Sequence, residues 1–202
     1  MDWITSLEDL EPRYGQQSKA AMMKVAPALT AATRGFIEAS RFCILSTVGP
    51  EGTDGSPRGD EGPVVRVLDA RTLALPDWHG NQRIDSLRNI VRDGRASLMF
   101  LIPGSGVALR VNGTARLTAD AALCQSFTRD NRHPNTVVVL AIAEVYPQCA
   151  RALHRSALWT APHPAEVPAI GAMIQESTDG LFDGPALDRS EDEAARTRDG
   201  WW

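Results

Sequence analysis

The sequence predicts an α+β fold, mainly β: a barrel of about six strands flanked by helices. Three observations point there. The middle of the chain is rich in short β-branched and apolar runs, the two ends read as helical, and the stretch from Val107 to Leu117 alternates apolar and polar residues without a break. At 202 residues and 43% hydrophobic the chain is long enough to bury a core. A single domain over 1–202 is expected, with an N-terminal helical segment over 1–40 and a C-terminal extension over 160–202.

Residues 5–18 carry Ser6, Glu8, Asp9, Glu11 and Pro12 and read as a short surface helix or arm. Lys19 to Arg41 has helical periodicity in Met22, Val25, Leu29 and Phe36, with Pro27 placed to split it. Phe42 to Val48 is the first strand. The glycine-rich Gly49–Gly62 that follows reads as a long loop. Ser56, Arg58 and Asp60 lie in it; its return could bring Arg58 to a pocket beside Arg66, or leave an exposed hairpin tip.

Pro63 to Val91 organises the chain as strand, turn, strand, loop and helix. Val64 to Leu68 forms a strand, Arg71-Thr72 turns it, and Leu73 to Leu75 continues. After a loop at Pro76–Gly80, Asn81 is the expected N-cap of a helix from Gln82 to Arg92, with Ile84, Leu87, Ile90 and Val91 on one face and Gly94 as its stop. Strand alternation puts Arg66 on a face with Val64 and Leu68, where an unpaired guanidinium is costly. Arg83 in a first helical turn opposes the helix dipole unless an anion sits there. Together with the N–H groups after Asn81 the two arginines would cradle a phosphate. The alternative is a snorkelling arginine and an ordinary surface one.

Ala96 to Ile102 reads as a strand buried on both faces. In Val107–Leu117 the pair Asn112-Gly113 invites a hairpin, but folding there would set Leu109 against Arg116, so one through-running strand is expected. Asp120 to Asp130 reads as a short helix, Thr136 to Tyr146 as a central strand, and Gln148 to Leu158 as a basic helix followed by Trp159. The extension beyond Pro162 is expected to add little to the core, with Trp201-Trp202 suited to docking on a partner.

The net charge of −4 argues against a nucleic-acid surface. No run approaches the roughly 18 apolar residues of a membrane span, and Met1-Asp2-Trp3-Ile4 does not open a signal peptide, so a cytoplasmic protein is expected. Cys43, Cys124 and Cys149 lack metal or redox spacing and read as buried reduced thiols. The four histidines show no metal-ligand spacing, and P-loop, GxGxxG, HExxH and GxSxG motifs are absent, so no metal is expected.

Taken together, Arg66-Val67-Leu68, the step Asn81-Gln82-Arg83, Arg95 to Phe100, Ser56 to Asp60, Leu109 to Gly113 and Arg155 to Trp159 resemble the pyridoxamine 5′-phosphate oxidase family of FMN-binding split barrels, in particular its bacterial branch of FMN-dependent enzymes. The resemblance covers about 35–160. It implies an FMN-dependent oxidoreductase for a small-molecule substrate, built as a homodimer with flavin sites between subunits. By that resemblance Arg66 and Arg83, with Asn81 and Ser86, would hold the FMN phosphate. Val67 and Leu68 would offer backbone groups to the ring edge, Arg110 and Asn112 would reach the flavin or the other subunit, and Arg155 and Trp159 would close the site. Gln82-Arg83 replaces the family's arginine-lysine pair, Ala108 stands where a flavin-side glutamine is usual, and the C-terminal phosphate-binding residues have no counterpart. Oxidation of pyridoxamine phosphate itself is therefore not expected. A non-catalytic flavin store or sensor, or a dimeric barrel with an empty pocket, remain as alternatives.

Overall fold

The computed structural model describes residues 1–149, 151–162 and 167–198. Three short helices come first: α1 (Leu7–Leu10), α2 (Lys19–Met23) and α3 (Ala31–Ala39). The helical stretch expected from Lys19 to Arg41 is divided more widely than a proline kink requires, because Ala26 leaves the helix to bridge Val145. α3 carries the packing. Thr30 and Thr33 cap it reciprocally, and Ile37 is fully buried.

Seven strands follow: β1 (Phe42–Gly49), β2 (Gly52–Gly59), β3 (Arg66–Asp69), β4 (Thr72–Asp77), β5 (Arg95–Leu101), β6 (Ala108–Thr118) and β7 (Thr136–Gln148). They form one antiparallel sheet in the order β2-β1-β5-β6-β7-β4-β3, curled but not closed. The strand beyond the expected six is β2, inside the stretch read as loop. Its pairing with β1 runs unbroken from Phe42 opposite Gly59 to Gly49 opposite Gly52. Pro57 is tolerated because β2 is an edge strand with no second neighbour to receive its missing N–H.

Alternate residues of the central strands build the core, with Leu45, Leu98, Phe100, Val111, Leu140 and Val145 almost completely buried. β6 is one strand, as its alternation requires: Leu109, Val111 and Ala115 are buried, while Arg110, Asn112, Thr114 and Arg116 face away. The pairing with β7 shifts between Asn112 and Gly113, and a side chain at Gly113 would collide with the Ala141 carbonyl oxygen.

The helix α4 (Asp85–Arg92) lays Leu87 and Ile90 on this core. It begins three residues after the expected Gln82. Gln82 has a left-handed φ of 58°, which cannot lie inside a helix, and Asn81 instead accepts the Arg83 N–H at 3.0 Å in a local turn. The end at Gly94 is as expected, with φ of 82°. On the opposite face of β4 and β7, α5 (Ala121–Gln125) covers a second cluster of Ala74, Cys124, Phe127 and Val137. It is shorter than the expected 120–130, since the Ser126 hydroxyl turns back to the Leu123 carbonyl at 2.6 Å.

Because β7 runs on to Gln148, the expected helix over 148–158 shrinks to α6 (Arg151–Arg155). In the C-terminal extension α7 (Ile170–Ser177) and α8 (Gly184–Thr197) pack on each other at Gly171 and Gly184, whose backbones touch. Asp188 accepts the Gly171 N–H at 2.7 Å. Neither core cluster includes a residue of this helix pair, and Arg198 just beyond it pairs with Glu61. Trp201-Trp202 lie outside the described residues. Cys43 and Cys124 are buried as expected, burial pushing the Cys43 thiol up to about 12, but Cys149 is exposed at the end of β7. Among the described residues no helix is long and apolar enough to cross a membrane.

Candidate functional site

The curl of the sheet brings its two ends together. Arg58 on β2 and Asp77 on β4, strands far apart in the sheet order, form an ion pair of 2.5 Å in which both side chains are less than one-fifth exposed. Between these edges opens a cleft of about 490 Å³, within the range of small-molecule sites. Ser56 and Arg58 form one wall, Leu75 to Asp77 another, and the loop from Trp78 to Ile84 runs round its mouth. The Nε of Arg58 is buried with no hydrogen-bond partner among the described residues, an arrangement that costs free energy until an acceptor arrives.

The loop is held by Asp60, whose side chain is 3% exposed. Its two carboxylate oxygens accept from Trp78 Nε1 at 3.2 Å and from Arg129 Nη2 at 3.4 Å. At the far end of the loop Arg83 reaches forward to Asp85 at 2.6 Å. That hydrogen bond raises the Arg83 guanidinium above its usual range and lowers the Asp85 carboxyl below its own. Among the described residues no side chain caps α4 at Ile84, so the N–H groups of its first turn are open to an acceptor beside the cleft mouth.

Of the residues singled out from sequence, Asn81 and Arg83 line the cleft. Ser86 is buried but turned to β2, where its hydroxyl donates to Asp54. Arg66 is not unpaired on a buried apolar face. It lies on an edge strand facing α5, donates to the Ser126 hydroxyl at 2.6 Å and carbonyl at 2.9 Å, and stacks 3.9 Å from the centre of the Phe127 ring. The reason is that β3 begins only at Arg66, so Val64 belongs to the preceding turn and the assumed alternation does not extend back to it. Val67 packs against the core and Leu68 is exposed.

Arg110 and Asn112 share the polar face of β6. Arg110 sits over the Tyr146 ring at 5.3 Å, and Asn112 donates to Glu144 at 2.6 Å while its own Oδ1 is buried without a partner among the described residues. Arg155 is exposed on α6, and Trp159 donates from Nε1 to the Ser105 carbonyl at 2.9 Å. Neither lines the cleft of its own chain.

The sequence places Arg58 and Asp60 in a long loop whose return could bring Arg58 to a pocket beside Arg66; Arg58 does line the cleft but Arg66 does not, and nothing in the sequence links Arg58 to Asp77 or Asp60 to Trp78. Their partners lie 19 and 18 residues away, so no local pattern links them. The available signal was chemical: Ser56, Arg58 and Asp60 repeat at a spacing of two, which on a strand is one polar face.

No curated protein matches the chain in sequence. Among solved structures, a protein from Lactobacillus delbrueckii provisionally assigned as a pyridoxamine 5′-phosphate oxidase is 26% identical, with a TM-score of 0.49 over 61% of this chain and 99% of that one. HupZ of Group A Streptococcus is 16% identical, with a TM-score of 0.49 over 60% of this chain and 94% of that one. General Stress Protein 26 of Bacillus anthracis is 15% identical, with a TM-score of 0.45 over 56% and 88%. The family model for pyridoxamine 5′-phosphate oxidase matches residues 29–149, from the start of α3 to the end of β7, which is more than half of the sequence. The chain belongs to the pyridoxamine 5′-phosphate oxidase family.

Proposed function

We propose that the protein is an FMN-dependent oxidoreductase acting on a small molecule, with the cleft between β2, β4 and α4 as the cofactor site. The observation that carries this reading is the buried, unpartnered Nε of Arg58 inside a cleft whose mouth is an uncapped helix start beside Arg83. That donor set suits a phosphorylated, acceptor-rich cofactor, and membership in a family whose members generally bind flavin supports a flavin, of which FMN is the phosphorylated form we propose. Bound FMN would supply the two-electron chemistry.

The residues divide the work. Arg83, Asn81 and the first N–H groups of α4 hold the phosphate, and Arg58 offers Nε–H to an acceptor deeper in the cleft. Asp77 keeps Arg58 in place, and Asp60 fixes Trp78 and with it the loop. Arg66 and Ser86 are occupied by Ser126 and Asp54, so they support neighbouring elements. In a homodimer, Arg110 and Asn112 are offered across the subunit contact, where the unpartnered Oδ1 of Asn112 finds its donor, and Arg155 and Trp159 face the partner's cleft.

The test is titration with FMN and with riboflavin, followed by flavin fluorescence. FMN should bind about ten-fold or more tightly, since the phosphate supplies a charge-assisted contact. Equal affinities refute the phosphate site. Anaerobic bleaching by NADPH or NADH with turnover of an added acceptor then separates an enzyme from a flavin carrier.

A further inference from the structure

The cofactor cleft continues into a second pocket. His79 and Asn135 line both, and the second, of about 470 Å³, is completed by Asn131, Arg132, His133 and Pro134. Two features give it fixed walls. Arg129 and Arg132 exchange backbone hydrogen bonds of 2.9 and 2.7 Å across Asp130-Asn131. Both residues between them are left-handed, with φ of 44° and 61°, the two-residue turn that Asp and Asn favour. Asp60, through Trp78 on one side and Arg129 on the other, then ties the His79 loop to this turn.

The walls are rich in donors. Imidazoles, carboxamides and a guanidinium meet here, with no carboxylate among the described lining residues. The side chains of His79, Asn131 and Asn135 make no hydrogen bond to a described residue, and His79 offers at least one N–H whichever way it is protonated. His133 Nδ1 lies 3.3 Å from the Pro134 carbonyl oxygen, which leaves Nε2 as the ring nitrogen turned to a ligand.

We propose that this pocket is the substrate subsite for a carboxylate, so that an organic acid lies beside the cofactor with its carboxylate between His79, Arg132 and His133. As a substrate subsite it rests on the cleft being the cofactor site; as a carboxylate site it stands alone. Arg132 brings the one guanidinium of the described lining and is already engaged in another interaction, and Asp130 stands next to it in the turn, which suits a monoanion better than a phosphate dianion.

The experiment titrates the full chain with benzoate, benzamide and phenyl phosphate while following the imidazole C–H resonances of His79 and His133, with FMN binding measured in a parallel arm. Benzoate should shift both resonances saturably in the low millimolar range and bind about ten-fold more tightly than either analogue. His133→Ala, a change at an exposed position, should keep the melting temperature and weaken benzoate about ten-fold. Equal binding of benzamide, tighter binding of phenyl phosphate, or unmoved imidazoles overturns the subsite. A benzoate response in a protein that binds no FMN supports the carboxylate site and refutes the cofactor reading; FMN binding without a benzoate response does the reverse.

Discussion

Arg58 and Asp77 join the first and sixth strands of an open sheet through a 2.5 Å ion pair. Between them in the sheet order stand β1, β5, β6 and β7, so the pair spans the split rather than strengthening a neighbouring contact. It therefore shapes the candidate cofactor cleft and holds the curl of the sheet together.

Removing one partner should cost more than removing both. Asp77→Asn leaves a guanidinium with little solvent and no counter-charge. Full burial would set that cost at about 3–5 kcal/mol, and the residual exposure reduces it to about 2–3. At a few degrees per kcal/mol for a chain of this size, the melting temperature should fall by roughly 5–10 °C. The double variant Arg58→Met, Asp77→Leu should lie closer to the parent. A single variant that melts with the parent would mean that solvent already screens the pair.

Gly113→Ala tests the close approach of β6 and β7. The new methyl group would meet the Ala141 carbonyl, a backbone atom that cannot rotate away. A loss of about 1–3 kcal/mol or more follows from such overpacking. Denaturant unfolding of Gly55→Ala on β2, where nothing approaches the added carbon, gives the control and should show less than half that loss.

The contrast between β6 and β2 also shows what could be read in the sequence. β6 declared itself because Leu109, Val111 and Ala115 alternate with polar residues, and period two is the pleat of a strand. β2 turns Asp54, Ser56 and Arg58 inward and interleaves them with glycine and Pro57, so a hydrophobic pattern finds nothing there. The helix and strand order around Asn81 was legible, but the left-handed Gln82 was not, since glutamine carries no preference for that conformation. Arg66 stands out in the sequence by its charge, yet its partner Ser126 is 60 residues away. What the chain does locally is visible in the sequence; what the curl of the sheet brings together is not.

Asp93 should give stability an acid-dependent component. Its carboxylate accepts from Arg95 Nε at 2.7 Å, from Nη2 at 2.8 Å and from the Arg95 N–H at 3.1 Å, around the left-handed Gly94. The guanidinium bonds chiefly, and the backbone N–H next, hold the carboxyl down to about 2 from an ordinary 3.8. A depressed carboxyl contributes stability that is complete above the unfolded value and lost as pH falls through the folded one. The stability difference between the parent and Asp93→Asn should thus be constant above about pH 4.5 and shrink between pH 4 and pH 2. A difference independent of pH over that window would show that Arg95 does not hold the carboxylate in solution.

Arg83 and Arg66 separate affinity from stability. Arg83 is 81% exposed and, among the described residues, pairs with Asp85, so the protein without cofactor should scarcely notice Arg83→Ala. The Asp85 carboxylate keeps its favourable place in the first turn of α4 in both proteins, so only the exposed pair is lost. With FMN bound, the same change removes one charge-assisted phosphate contact, about 1.5 kcal/mol, or roughly ten-fold in affinity. Arg66→Ala should behave in the opposite way. It loses two hydrogen bonds to Ser126 and the stacking on Phe127, about 1–2 kcal/mol at a solvent-facing position, without touching the cleft. Flavin titration and thermal melting of the two variants form one measurement. If Arg66→Ala weakens FMN more than Arg83→Ala does, the phosphate lies at the β3 edge beside Ser126, and the cleft at the start of α4 is not where the cofactor's phosphate binds.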